Sequence, residues 1–199
     1  MGGHREDLLE RHAGSRERVS DYYPTGETAL VIVPPPDICA YADYYRTLYM
    51  PEEVERIEPH VAVTVPFAPT PLLPEVEPRL RASLGRCAPV RLSLRGFDTF
   101  EETGVLYLKL AHPERVHALY RAVVSEFPEY PIYGGQYGDN FTPHMTVGIF
   151  KDHDELARVY EDLSVQRLFI GWDVETVWVK CRMSDGIWDT WAEIPLLGS

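Results

Sequence analysis

Hydrophobic and polar residues alternate along much of this chain with the two-residue period of half-buried strands. In TPHMTVGIF, residues 142–150, His144 and Thr146 point to one side of a strand, while Met145 and Val147 point to the other. One face of this strand is therefore apolar and the other polar. Six further runs of apolar and β-branched residues predict strands over residues 29–33, 59–67, 90–100, 105–110, 174–181 and 187–196.

Four stretches have helical periodicity and recognisable starts. Asp37 is predicted to cap the first helix, Pro74 to begin the second, Pro113 to open the third, and Asp152 and Asp154 to start the fourth. The apolar stripes are Ile38, Tyr41, Ala42, Tyr45 and Leu48 in the first helix, Val76, Leu80 and Leu84 in the second, and Val116, Leu119, Tyr120, Val123 and Phe127 in the third.

The connections between these elements indicate the fold class. The segment EETG joins two strand patterns as a hairpin with Gly104 in its turn, and MSDG joins the last two strands. Helices and strands alternate irregularly. We therefore predict an α+β fold with antiparallel sheet and not a doubly wound parallel sheet.

Length and the N-terminal composition predict the domain organisation. A chain of 199 residues can form one well-buried core or two small lobes that share one. Residues 1–27 are polar and end at a Pro-Thr-Gly turn, so we predict a leader, flexible or loosely docked, before a single domain at residues 28–199. The leader lacks the apolar core of a signal peptide, and no run approaches the roughly 20 apolar residues of a membrane span.

The three cysteines, Cys39, Cys87 and Cys181, are odd in number and form no CxxC pair. This pattern argues against a disulfide framework and a zinc site. We expect three small core residues in a protein of the reducing cytoplasm.

The formal net charge of −12, from 19 basic and 31 acidic residues, restricts the partners. Proteins that grip long nucleic acids need a basic stripe. Any nucleic-acid-like substrate is therefore expected to be small or bound locally. We expect no membrane partner and a monomeric protein.

The stretch PHVAVTVPF, residues 59–67, repeats the pattern of residues 142–150. Pro59-His60 corresponds to Pro143-His144, and in each copy alternating small or β-branched residues follow and a phenylalanine ends the run. The two histidines are 84 positions apart. Two copies in the two halves of a small chain are much harder to attribute to core packing than one.

These paired motifs resemble those of the 2H phosphoesterases, also called the RNA ligase-like or cyclic phosphodiesterase family. Each family member carries two H-x-T/S-hydrophobic motifs on strands, one in each lobe of a pseudo-symmetric fold. The resemblance covers about residues 28–197 and includes ALVIVPPP, both histidine motifs and the closing SDGIWDTW. It implies two pseudo-symmetric lobes of antiparallel sheet, with helices outside and both histidines facing a central groove.

The resemblance also implies the chemistry. His60 and His144 would share general acid and base roles without a metal or cofactor, since imidazole titrates near neutral pH. Thr146 would donate its hydroxyl to a phosphate oxygen. The sequence departs from the family at Ala62, where Thr or Ser is usual; Thr64, about 6.6 Å further along the same face, is the proposed substitute contact.

The family's usual substrates carry 2′,3′-cyclic or 2′-5′ phosphodiester linkages on RNA ends or small nucleotides. The resemblance therefore suggests a phosphodiesterase, with ligation as its reverse. Tyr133 and Tyr137, in the glycine-rich loop before His144, are placed to stack on a base, and local packing is an equally good interpretation.

Two other functions compete with this hypothesis. Ala62 favours a related module that has lost turnover and binds a nucleotide or phosphorylated ligand. A metal-dependent enzyme would draw on Asp152-His153-Asp154 or on His112 and His117, although none of these has a recognised ligand spacing. In a third interpretation, the two strand histidines of a globular protein are incidental.

Overall fold

The computed structural model describes residues 27–138 and 141–199. The predicted leader, apart from Glu27, lies outside the described residues. Within them the strands are β1 Thr28–Ile32, β2 Val61–Thr64, β3 Val90–Phe100, β4 Val105–Leu110, β5 His144–Ile149, β6 Ile170–Val174, β7 Thr176–Arg182 and β8 Trp188–Pro195. The α-helices are α1 Pro36–Tyr49, α2 Pro51–Val54, α3 Leu73–Leu84, α4 Glu114–Glu126 and α5 His153–Ser164. Short 3₁₀ turns are formed by Thr70–Leu72, Glu101–Thr103 and Ile132–Gly135.

Two four-stranded sheets, both antiparallel, carry the fold. The first sheet has the order β2-β1-β7-β8 and the second the order β5-β4-β3-β6. Each sheet contains one of the two histidine motifs at an edge: β2 follows His60, and β5 begins at His144. The predicted α+β class with antiparallel sheet is confirmed.

The two sheets exchange helices. Helix α1 leaves β1 of the first sheet and contacts β5 of the second, while α4 leaves β4 of the second sheet and contacts β2 of the first. Helix α3 packs beside α4 and against β8, and α5 packs against β3 and β4. Because α1 and α4 each reach across to the other sheet, the buried apolar residues form one continuous core.

The predicted apolar stripes explain most of the helix packing. Ile38, Ala42 and Tyr45 of α1 are buried, but Leu48 is 55% exposed, because the buried side chain in the last turn is that of Arg46. In α4 all four stripe residues from Val116 to Val123 are buried, and the last predicted one, Phe127, is buried just beyond its end.

The ends of the elements differ from prediction in several places. Helix α1 begins at Pro36, so Asp37 lies in its first turn and makes no capping hydrogen bond. Asp152 does cap α5, accepting hydrogen bonds from the backbone N–H groups of Asp154 and Glu155. Gly104 occupies the predicted hairpin turn at φ 71°, where a side chain would be strained.

Of the cysteines, Cys181 is buried, as predicted, whereas Cys39 and Cys87 are half-buried; all three are free thiols. Burial raises the pKa of Cys181 to about 12. Among the described residues, no helix is long and apolar enough to cross a membrane.

Candidate active site

The two Pro-His segments bring their imidazoles to the strands in the same way. His60 Nδ1 donates to the backbone carbonyl of Glu58 at 2.8 Å, and His144 Nδ1 donates to that of Thr142 at 2.8 Å. A carbonyl only accepts hydrogen bonds, so each neutral ring carries its proton on Nδ1. Nε2 is then the acceptor in both rings, and no hydrogen bond within the described residues occupies it.

The structure brings the two predicted histidines to one place. Strands β2 and β5 lie in contact although they belong to different sheets. Among the lesser influences on His60, positive charge on His144 lowers the pKa of its imidazole. Two half-buried imidazoles with the same tautomer therefore lie close enough to interact electrostatically.

Buried charge surrounds the first motif. Glu58, whose carbonyl holds His60, forms an ion pair with Lys180, whose side chain is only 4% exposed and also donates to Thr190 Oγ1 at 2.8 Å. Arg46, 2% exposed, donates to the carbonyl of Glu53 at 2.9 Å and to that of Ile57. These two cations fix the segment that leads into His60.

The pKa of His60 reflects these neighbours. Burial lowers the pKa most, the Glu58 carbonyl opposes it, and Arg46 lowers it further against the smaller effect of the Glu58 carboxylate. At neutral pH the imidazole of His60 is therefore neutral and able to accept a proton.

Aromatic rings surround the second motif instead. The His144 ring lies edge-on to Phe100 at a centroid distance of 4.9 Å and beside Tyr107 at 5.2 Å. Phe100 and Tyr107 stack at 4.4 Å. Burial lowers the pKa of His144, and burial raises the pKa of Tyr107 to about 12.

Sequence reasoning missed Phe100 and Tyr107 as neighbours of His144. The alternation of Val105–Leu110 separates Tyr107 from the buried leucines, which is a usable signal. The pairing of β4 with β5 cannot be predicted in this way, because the register of Tyr107 opposite Thr146 joins residues almost 40 positions apart and includes a bulge.

Thr146 and Ala62 occupy matching positions, each two residues after a histidine. Thr146 is half-buried, and its hydroxyl has no hydrogen-bond partner within the described residues, so it is free to donate. Ala62 is half-buried opposite Val31 and offers no donor.

The structure does not support the predicted substrate contact of Thr64. Thr64 is completely buried, and its hydroxyl donates to the backbone carbonyl of Tyr130 at 3.3 Å. Nearby, the Tyr133 N–H donates to the Val65 carbonyl at 2.7 Å. Thr64 therefore anchors the loop that precedes the second motif.

That loop forms one wall of a cavity of about 790 Å³ beside His144. Tyr133 and Tyr137 line the cavity together with Phe100 and His144. Tyr137 is 51% exposed, and Tyr133 has a left-handed backbone at φ 51°, which is uncommon for a residue with a side chain. His60 is not among the lining residues of this cavity.

The residues of the metal-dependent alternative have other contacts. Asp152 caps α5, His112 lies against Glu114 at 3.1 Å, and His117 Nε2 donates to the carbonyl of Phe141 at 2.8 Å. Across residues 27–138 and 141–199, no three His, Cys, Asp or Glu side chains converge as a metal site would need.

Comparison with known sequences relates this chain to a family. The model of the 2′-5′ RNA ligase superfamily matches residues 34–183. A protein of Geobacillus kaustophilus (strain HTA426) named "Putative phosphoesterase GK0864" is 26% identical over 161 residues, which cover 80% of this chain and 90% of the relative.

Comparison with solved structures gives the same fold. The crystal structure of TT0787 from Thermus thermophilus superposes with a TM-score of 0.60 at 18% identity, covering 87% of this chain and 99% of that one. The crystal structure of E. coli LigT complexed with 3′-AMP superposes with a TM-score of 0.56 at 15% identity, covering 85% of this chain and 97% of that one.

Proposed function

The chain belongs to the 2′-5′ RNA ligase superfamily, and from that premise we propose that it is a phosphodiesterase that needs no metal. Its substrates are 2′,3′-cyclic or 2′-5′ phosphodiester bonds on RNA ends or small nucleotides. The observation that carries the proposal is the matched pair of imidazoles, each held through Nδ1 by the carbonyl two residues before it.

Hydrolysis of a cyclic phosphodiester needs one base and one acid. In our assignment Nε2 of His60 takes a proton from water as the water oxygen bonds to phosphorus. The bond from phosphorus to the departing ribose oxygen then breaks, and His144, which in this step is the protonated imidazolium, gives that oxygen its Nε2 proton. His60 is the base because Arg46 disfavours its protonated form, and no cation among the described residues has this effect on His144.

Thr146 donates its hydroxyl to a phosphate oxygen in this assignment. It lies on the same face of β5 as His144, and its hydroxyl has no other partner in the described structure. Removing one preorganised donor of this kind costs about 100- to 1000-fold in rate.

Tyr137 and Tyr133 provide the stacking surface for the base. Both line the cavity beside His144, and the exposed ring of Tyr137 lies edge-on to Tyr133 at 5.8 Å. The LigT structures, complexed with 3′-AMP, ATP and NADP⁺, support a small nucleotide as the ligand of this fold. The net charge of −12 favours short substrates over long RNA.

The test is hydrolysis of a nucleoside 2′,3′-cyclic phosphate and of a 2′-5′ linked dinucleotide, each with and without EDTA. Wild type is compared with His60→Ala and His144→Ala, and the monophosphate produced is identified. We expect turnover that EDTA does not affect and that each substitution lowers at least about 100-fold. Turnover that EDTA removes, or that either substitution leaves near the wild-type rate, contradicts the proposed mechanism.

A second candidate is a binding module without turnover. Ala62 favours it, because the first motif lacks the hydroxyl that would share the phosphate with Thr146. In that case neither substrate is hydrolysed, and a nucleoside 3′-phosphate binds wild type more tightly than the Thr146→Val variant.

A further inference from the structure

A second cavity, of about 670 Å³, lies beside the one that contains His144. It opens where β3 bulges between Leu94 and Phe97, at Gly96 with φ 76°. Strand β6 pairs with β3 only as far as Leu94. The far edge of β3 is therefore left open to the residues that follow α5, which form the opposite wall.

This cavity is basic in an acidic protein. Arg95, Lys109 and Arg167 line it, and no carboxylate does. Arg95 and Arg167 are both exposed, and neither forms an ion pair with any residue in the described ranges. In a chain of net charge −12, two unpaired guanidinium groups at one opening favour an anionic ligand.

The basic cavity continues from the cavity at His144. Tyr160 lines both. Asp98, in the His144 cavity, holds Lys109 of the basic cavity at 3.3 Å, so this ion pair forms the boundary between the two. Beyond that boundary Phe169 is 75% exposed and presents a ring on which a second base can stack.

We propose that the basic cavity binds the phosphate of the nucleotide adjacent to the scissile bond, so that the preferred substrate is at least a dinucleotide. This inference rests on the proposed function: the reacting phosphate lies at the two histidines and its base beside Tyr137. The neighbouring phosphate then contacts Arg95 and Arg167, and the next base stacks on Phe169.

The kinetic test compares two substrates that differ by one nucleotide. These are a nucleoside 2′,3′-cyclic phosphate and a dinucleotide that ends in the same cyclic phosphate. For Arg95→Gln/Arg167→Gln we expect kcat/KM to fall about 10- to 100-fold on the dinucleotide, the usual effect of losing charge-assisted hydrogen bonds, and to change less than about twofold on the mononucleotide. An equal loss on both substrates, or no loss on either, overturns the proposal.

Arg121→Gln/Arg158→Gln is the matched control, since it removes the same two charges from exposed positions of α4 and α5 outside both cavities. A loss on the dinucleotide equal to that of the cavity double variant Arg95→Gln/Arg167→Gln would show that bulk charge, and not this cavity, is responsible. In wild type, the salt dependence of kcat/KM should be steeper for the dinucleotide by a slope of about 0.7 for the added contact.

A binding measurement separates this proposal from the proposed function. The dinucleotide 3′-phosphate and the nucleoside 3′-phosphate are titrated by calorimetry into wild type and into the double variant. If wild type hydrolyses neither cyclic substrate, the proposed function fails, but tighter binding of the dinucleotide that the double variant loses still supports the basic cavity. Equal binding of the dinucleotide by both proteins overturns it.

Discussion

The same Pro-His turn is set among buried charges in one half of the molecule and among aromatic rings in the other. Before His60, Lys180 holds Glu58, and Arg46 holds the segment that precedes it. Around His144 the neighbours are Phe100 and Tyr107. The imidazoles have the same hydrogen bond to the backbone in both places, so the repeated feature is the backbone geometry and not the surroundings.

The two halves of the molecule also differ in the residues that would contact phosphate. The second motif has Thr146, whose hydroxyl has no hydrogen-bond partner in the described part of the chain, and the first has Ala62 at the same position. If both histidines are needed and only one motif supplies a hydroxyl, the two halves are equal in proton transfer and unequal in binding the phosphate oxygens.

The equal importance of the two histidines for proton transfer predicts the largest effects on kcat. Replacing either histidine by alanine should lower kcat by about 100- to 10,000-fold, the usual contribution of a general acid or base. The double variant should be scarcely worse than either single variant, because an acid and a base that act in one step are not additive. The measurement is kcat of all three variants, with circular dichroism to confirm folding; strictly multiplicative losses would show that the histidines act independently.

Because only the second motif offers a hydroxyl to the phosphate, substitutions at Thr146 and at Ala62 should have different effects on the rate. Thr146→Val should lower kcat/KM about 100- to 1000-fold, since the shape is kept and the donor is lost. Ala62→Thr adds the donor that the first motif lacks and should not lower the rate. If Thr146→Val is as active as wild type, the phosphate oxygens have other donors and the assignment of Thr146 is wrong.

The ion pair that precedes the first motif should contribute to the free energy of unfolding. Lys180→Met leaves the Glu58 carboxylate without its partner. Because Glu58 is 33% exposed, we expect a loss of about 1 to 3 kcal/mol in the free energy of unfolding, less than for a fully buried pair. Urea denaturation measures it. The companion variant Lys180→Met/Glu58→Gln should recover part of the loss, and failure to recover would attribute the effect to packing of the lysine stem.

The lowered pKa values of both histidines predict the pH dependence. A general acid and base pair is most active between its two apparent pKa values. Since both lie below the ordinary 6.5, kcat/KM should be greatest below pH 6.5 and already decline at neutral pH. NMR titration should show that His60 gains its proton at a lower pH than His144. The opposite order would exchange the acid and base roles.

The same shifts predict how stability changes with pH. The unfolded chain binds protons at histidine more readily than the folded one, so the stabilising contribution is complete above pH 6.5 and is lost as the pH falls through the folded pKa values. In His60→Gln the free energy of unfolding should fall less over this range than in wild type, as measured by thermal denaturation at a series of pH values.

Several features of the fold and of the two histidine motifs can be predicted from the sequence, because they depend on local patterns. The two-residue alternation after His60 and His144 is a property of neighbouring residues, and so are the capping by Asp152 and the turn at Gly104. Strand β6 was not predicted, since Gly171 interrupts its pattern; in the fold that glycine lies opposite Ser93, where a side chain would crowd the serine hydroxyl.

What the sequence does not reveal depends on contacts between distant residues. Arg46 and Lys180 are charged, and their burial follows only from the carbonyls and the carboxylate that surround them in the fold. The positions of Phe100 and Tyr107 beside His144 depend on sheet register. For Thr64 the alternation placed the hydroxyl on the face of His60, but the structure turns it to Tyr130 beside a bulge in the β1–β2 pairing.

Substitution of Thr64 is predicted to have the smallest effect. It tests whether a residue of the first motif other than His60 contributes to activity. Thr64→Val keeps the shape and removes the hydrogen bond to the Tyr130 carbonyl, which should cost about 1 kcal/mol of stability. Because this bond anchors the loop that carries Tyr133 and Tyr137, we expect KM to rise a few-fold while kcat is unchanged. A fall in kcat comparable to that of Thr146→Val would restore Thr64 as a phosphate contact. Thr64→Ser, which keeps the hydroxyl, should retain the KM of wild type if the hydrogen bond is what positions the loop.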